Sequence, residues 1–170
     1  ITEELKKGKK RNEIGACPFC RTLYQYSGDE ELAQVKRHTE KGVREAFFVL
    51  AGYYNDGVYG LQQDRTKANE LFLKAGELGH GTSYYNLGVT YADGLGVAID
   101  KKKAKHYYEL AAMNGNASAR CNLGAMEADN GNIQRAMKHF VIAVKAGHDG
   151  ALEIVKKGFM DGYVTKEEYA

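Results

Sequence analysis
Apolar and small residues recur along this chain one helical turn apart, and the recurrence itself repeats. Ala46, Leu50 and Tyr54 fall at i, i+4 and i+8, one face of an α-helix. After Gly57, Gly60 and Asp64 comes a second stripe, Ala68, Leu71, Phe72, Ala75 and Leu78, which predicts a helix from about Arg65 to Leu78. The order returns from Ser83, as Leu87-Gly88, Tyr91, Gly94, Gly96, Asp100, Lys103-Ala104, Tyr108, Ala111 and Gly115. It returns again from Ala119, as Leu123-Gly124, Gly131, Arg135-Ala136, Phe140, Ala143 and Gly147, and from Ala151 with Val155, Phe159 and Gly162. A period of about 36 residues that survives a shortened turn in the third unit marks a tandem array.

Each unit reads as two antiparallel helices. Asp64 and Asp100 stand where an N-cap must accept a backbone N–H, and Gly57 and Gly94 stand where a first helix must end in a left-handed residue. Alanines at 68, 75, 104, 111, 136 and 143 let the helices approach closely, and the aromatic residue one turn away fills the remaining space. One pair cannot bury its apolar face alone, so neighbours must stack. The expected fold is all-α, a right-handed α-solenoid of antiparallel helix pairs with about three and a half repeats. The expected divisions are a segment and linker over 1–28, an N-terminal capping helix over 29–45 with Leu32, Val35 and Thr39 on its apolar face, repeats over 46–82, 83–116 and 117–148, and a partial repeat over 149–170. Thr165 to Glu168 has the pattern of a capping box, so the fourth unit is expected to expose apolar surface at its end, Val155 and Phe159 included.

At this point the residues resemble a known family. The stretch Ser83 to Tyr91, then Gly94-Leu95-Gly96-Val97, Asp100, Lys103-Ala104, Ala111-Ala112 and Gly115 is similar to the Sel1-like repeat, a relative of the tetratricopeptide repeat with a longer glycine-containing turn. The resemblance covers about residues 46 to 163. It implies an adaptor or scaffold function, in assemblies such as membrane-associated ubiquitin ligase complexes, cell-cycle control or bacterial signalling. Two departures stand out: Glu127 replaces the tyrosines at 54 and 91, and the third turn is shortened to Asp129-Asn130-Gly131-Asn132. Some relatives carry a disulfide in each repeat, but here Cys121 is alone within the array.

Composition narrows the function classes. With 24 basic and 22 acidic residues the net charge is +2, which gives no electrostatic footprint for nucleic acid. The longest apolar run, Phe47 to Tyr54, is far short of the ~20 residues that span a bilayer. Three cysteines are too few for a disulfide scaffold and suit a reducing compartment, so the expected setting is soluble and intracellular, cytoplasm or nucleus. The chain opens at Ile1 rather than Met, as expected of a piece of a longer protein.

Chemistry is concentrated in one motif. Cys17-Pro18-Phe19-Cys20-Arg21 puts two thiols at the spacing of half a tetrahedral zinc site, and resembles the last ligand pair of a RING-type zinc finger. Either the remaining ligands precede Ile1, which would imply zinc and ubiquitin ligation, or Cys17 and Cys20 are two reduced thiols in a loop; a redox pair is the third reading, without the strand–helix context it requires. Lys6 to Arg11 is a basic run that reads as a solvated tail, the alternative being an import or phosphate-contact patch. The histidines are dispersed: His80 and His148 recur just after Gly79 and Gly147, which points to a structural role, and His106 and His139 have no partner at metal-ligand spacing. No catalytic signature appears, so no catalytic residue and no cofactor other than that zinc are expected.

A protein or peptide partner is therefore expected, within a larger complex or alone. In tetratricopeptide arrays the first helices line the concave face. Carried over on the Leu-Gly-x-x-Tyr frame, the resemblance implies exposed positions at Phe48, Asn55 and Asp56, at Tyr85, Val89 and Asp93, and at Cys121, Ala125 and Asp129. Asn86 and Asn122 precede Leu-Gly. An asparagine there either bonds a bound peptide's backbone or bridges adjacent repeats, since its amide both donates and accepts. Tyr85 is the expected anchor, because aromatic side chains dominate interface hot spots. Besides this scaffold, two further functions fit: the substrate-binding part of a RING-type ubiquitin ligase, and a structural subunit of a large complex.

Overall fold
The computed structural model describes residues 28–165 and 167, together with the backbone of 15–16 and 23–24. Among the described residues eight α-helices run in order: α1 Gly28–Glu40, α2 Arg44–Asp56, α3 Arg65–Glu77, α4 Gly81–Asp93, α5 Lys101–Met113, α6 Ala117–Asp129, α7 Ile133–Lys145 and α8 Leu152–Met160, the last led in by a 3-10 turn at Asp149–Ala151. Each helix packs on the one before it, the arrangement of an α-solenoid. A departure from all-α comes before the array, where β1 (Gly15–Ala16) pairs antiparallel with β2 (Leu23–Tyr24). Cys17, Cys20 and the basic run 6–11 lie outside the described residues.

The caps form as their residue types dictate. The Asp64 side chain accepts from the Lys67 N–H, and Asp100 from those of Lys102 and Lys103. Gly57 and Gly94 close α2 and α4 at φ 66° and 72°, the left-handed region that a Cβ disfavours. The backbone N–H of Asp64 then returns to the Tyr54 carbonyl at 2.8 Å, and that of Asp100 to Tyr91 at 2.9 Å. In the third unit Asn132 makes the same closing bond to Glu127 at 2.9 Å across the shortened turn. Its side chain does not cap α7 but donates to the Glu127 carboxylate.

Packing follows the small-residue pattern. Ala68, Ala75, Ala104, Ala111, Ala136 and Ala143 are all buried, as are Phe72, Tyr108 and Phe140. A Cβ added to Gly88 would meet the Tyr108 ring at 2.4 Å, and one on Gly124 the Phe140 ring at 2.8 Å. The second helix of a unit therefore lays its ring on bare backbone of the first. Between units Gly76 does the same for Tyr84, at 2.6 Å. One apolar cluster runs from Ala51 to Leu123, and a second joins α7 to the C-terminal segment through Ala136, Phe140, Ala143, Ala151, Val155 and Val164.

Three boundaries or exposures differ from expectation. The first helix of unit one begins at Arg44, two residues before Ala46, because Val43 in extended conformation supplies its start. Helix α1 stops at Glu40 and buries Val35 more deeply than Leu32 or Thr39. It is held by the Tyr53 hydroxyl, which donates to Glu31. Val155 is buried rather than exposed, since Gly162 at φ 77° turns the chain back and Val164 covers it, whereas Phe159 is exposed.

Glycine substitutions read out this packing. Gly52 lies inside α2 with nothing near its missing Cβ, so Gly52→Ala is expected to stabilise by about 0.5–1 kcal/mol. Gly124→Ala is expected to cost about 1–3 kcal/mol, because the Phe140 ring must give way. Urea unfolding of the two variants checks the opposite signs.

Candidate partner-binding surface
The first helices α2, α4 and α6 carry the expected contact positions, but neighbouring units cover part of that face. Phe48 is half-buried, its ring 5.8 Å from Phe72 and 4.5 Å from His80. Tyr85 is half-buried with its ring 5.9 Å from Tyr108. Val89 and Cys121 pack against the apolar clusters, and burial pushes the Cys121 thiol up. The expectation that these four are exposed is corrected: each lies where one first helix meets the next element of the stack. Asn55 is half-buried too, and its amide donates to Asp56 at 2.8 Å.

What remains open is a polar edge. Asp56, Asp93, Ala125 and Asp129 are exposed. Asp56, Asp93 and Asp129 are the last residues of α2, α4 and α6, none of which has a basic side chain in its last turn. A carboxylate at the negative end of a helix dipole is locally unfavourable, and three in register make this edge acidic.

The two asparagines part company. Burial pushes the Tyr108 phenol up, and Asn122, reaching from unit three toward unit two, opposes that shift. The residue matching Tyr108 in unit one is Phe72, which has no hydroxyl to offer the Asn86 side chain. Its amide stands half-buried beside Tyr85 and Val89 with donor and acceptor capacity unused.

Unit three departs in its polar groups. Lys67 lies over the Tyr54 ring at 4.4 Å and Lys103 over Tyr91 at 5.1 Å, a cation–π pair in each of the first two units. At the third such place Glu127 is buried and accepts from Lys105 at 2.9 Å and from Asn132 at 2.9 Å. These two donors hold its carboxyl below the usual range. The histidines are fixed differently. His80 Nδ1 meets the Ser83 hydroxyl at 2.9 Å beside α4, and burial lowers its pKa. The Nδ1 atoms of His139 and His148 are buried without a hydrogen-bond partner. Among the described residues no three His, Cys, Asp or Glu side chains stand together as metal ligands, and no helix is long and apolar enough to cross a membrane.

The repeat that these helix pairs define is matched by a family model. The Sel1 repeat model covers residues 45–80, 82–116 and 117–148. The chain belongs to the Sel1 repeat family. Its Sel1 units are similar to the ERAD-associated E3 ubiquitin-protein ligase component HRD3B of Arabidopsis thaliana, 32% identical over 65% of this chain and 17% of that protein. They are also similar to the chitin synthase regulator SKT5 of Saccharomyces cerevisiae, 30% identical over 83% of this chain and 22% of that protein. The chain thus spans less than a quarter of the length of these relatives. Among solved structures, a Sel1 repeat protein from Oxalobacter formigenes superposes with TM-score 0.73 at 23% identity, covering 84% of this chain and 61% of that one. The protective antigen c5321 of uropathogenic Escherichia coli superposes with TM-score 0.71 at 30% identity, covering 79% and 30%.

The asparagines can be separated by stability. Asn122→Ala takes away the amide that faces the buried Tyr108 phenol across the unit boundary and is expected to cost about 1 kcal/mol or more. Asn86→Ala is expected to stay within about 0.5 kcal/mol of the parent. Thermal unfolding of both variants checks this.

Proposed function
We propose that this Sel1 chain is a non-catalytic scaffold that holds a protein or peptide partner along the face of its first helices. The observation that carries the reading is Asn86: a half-buried amide without a partner, flanked by Tyr85 and Val89 and bordered by Asp93. A bound backbone can use both its donor and its acceptor, and the flanking side chains supply apolar contact beside it. Phe48, Asn55 and Asn122 sit half-buried in the neighbouring units, and Asp129 adds its exposed carboxylate to the open edge of the same face. The near-neutral charge favours protein over nucleic acid as partner. The names of two relatives support the reading, one a ligase component and one a synthase regulator, since each is described by the protein it serves. A reducing intracellular setting fits the unpaired thiol in the array.

A second reading makes the array the substrate-holding part of a ubiquitin ligase. It is favoured by the Cys17-Pro18-Phe19-Cys20 spacing together with the likeness to a ligase component. Bound zinc that disappears in Cys17→Ser is the signature of that reading.

The scaffold is tested by capture on immobilised chain, comparing the parent with an Asn86→Ala/Asp93→Arg variant whose helicity is checked by circular dichroism. The expected outcome is a set of retained proteins that the folded variant loses. Equal capture by parent and variant would remove the first-helix face from the account.

A further inference from the structure
Aligning the units by their caps brings three positions into register along the groove between first and second helix. Unit one has Phe47, Leu71 and Tyr54 there, and unit two has Tyr84, Tyr107 and Tyr91. In unit two the rings form a continuous stack, with Tyr84 6.2 Å from Tyr107 at an interplanar angle of 24°, and Tyr91 5.6 Å from it at 13°. Unit three carries Arg120, His139 and Glu127 at the same three positions. All three groove residues have changed from apolar or aromatic to polar, while the surrounding alanines, Gly124 and Phe140 keep the repeat pattern.

The exchange leaves space and unspent charge. Where unit two is filled by rings, the α6–α7 groove holds a recess of about 350 Å³ lined by Glu127, Arg135, Lys138, His139 and Ile142. Arg135 matches Lys67 and Lys103 by sequence, but no tyrosine ring is left for it to cover. Glu127 is already satisfied by Lys105 and Asn132. Arg120, Arg135 and Lys138 form no salt bridge with a carboxylate of the described residues, and Arg135 adds only a minor charge effect to Glu127 beside the bond from Lys105. His139 presents a buried Nδ1 without a hydrogen-bond partner. Burial, with the charges of Arg120 and Lys105, lowers its pKa, opposed by Glu127 and Glu109. The local balance is cationic, and Ile142, 45% exposed, offers an apolar wall.

We infer that this recess is a docking site for an acidic peptide segment of the scaffold's protein partner, one carboxylate entering between Arg135 and Lys138 with the peptide laid across Ile142. The inference rests on the scaffold reading and deepens it by naming the partner's chemistry. Guanidinium and ammonium groups held beside a recess make charge-assisted bonds to a carboxylate, and charge complementarity of this kind sets specificity and the rate of encounter. An extended nucleic-acid backbone is disfavoured, because the cationic character is confined to one groove of a chain whose net charge is only +2.

The test is fluorescence anisotropy with a labelled peptide of alternating glutamate and aspartate, against its glutamine and asparagine counterpart. The acidic peptide is expected to bind saturably and the neutral one not. Arg135→Gln/Lys138→Gln is expected to weaken binding roughly tenfold or more. Refilling the groove as in unit two, with Glu127→Tyr/His139→Tyr, is expected to abolish binding while helicity is kept; if that variant misfolds, the charge variant decides alone. Unchanged affinity in Arg135→Gln/Lys138→Gln, or single-stranded DNA binding as tightly as the acidic peptide, would overturn the site. Partner capture that depends on Asn86 but not on Arg135 and Lys138 would leave the scaffold standing and remove this inference.

Discussion

In units two and three the helix pair is set by an aromatic ring on the second helix resting on a glycine of the first. Tyr108 lies on Gly88 and Phe140 on Gly124, at separations no Cβ would tolerate. In unit one Phe72 shares the core with Ala51. Close approach brings the alanine stripes of both helices into contact, and dense packing there makes the pair rigid. The same device recurs between units, where Tyr84 lies on Gly76. Because each pair buries its apolar face only against its neighbours, the array is stable as a stack, and its outward positions are free to vary.

That freedom is where function enters. Units one and two place a lysine over a tyrosine ring, whereas unit three keeps the backbone closure of the turn and exchanges the ring for a carboxylate held by Lys105 and Asn132. The fold is indifferent to the exchange because Glu127 is satisfied on both oxygens, so that burial carries no unpaired charge. The surface is not indifferent. One asparagine faces the Tyr108 phenol and the other the place of Phe72, and the difference between the two settings is a single hydroxyl, present on Tyr108 and absent on Phe72.

Much of the architecture is legible in the sequence because it rests on local physics. Asp64 and Asp100 cap helices, and Gly57 and Gly94 end them, for reasons internal to a few residues. The alanines and rings announce the core by helical spacing. Exposure is less legible, since it belongs to the stack rather than to one helix. Phe48, Tyr85, Val89 and Cys121 are expected on the open face by the frame the resemblance supplies, yet packing against neighbouring elements half-covers them. The burial of Val155 is hidden for a similar reason: it depends on Val164, brought back by the left-handed turn at Gly162. Arg120, Glu127 and His139 are all visible in the sequence, but their meeting appears only when three units are aligned by their caps.

The most direct test of the ring-on-backbone constraint is a double-mutant cycle between positions 88 and 108, read by equilibrium urea unfolding. Gly88→Ala is expected to destabilise the parent and to lose most of that cost in a Tyr108→Leu background, where no ring opposes the new methyl. The coupling should then approach the cost of the single substitution, within the 0.5–3 kcal/mol range of about this kind of contact. Additive costs, with no coupling between the two positions, would contradict the account, because the gap at Gly88 would then serve something other than the Tyr108 ring.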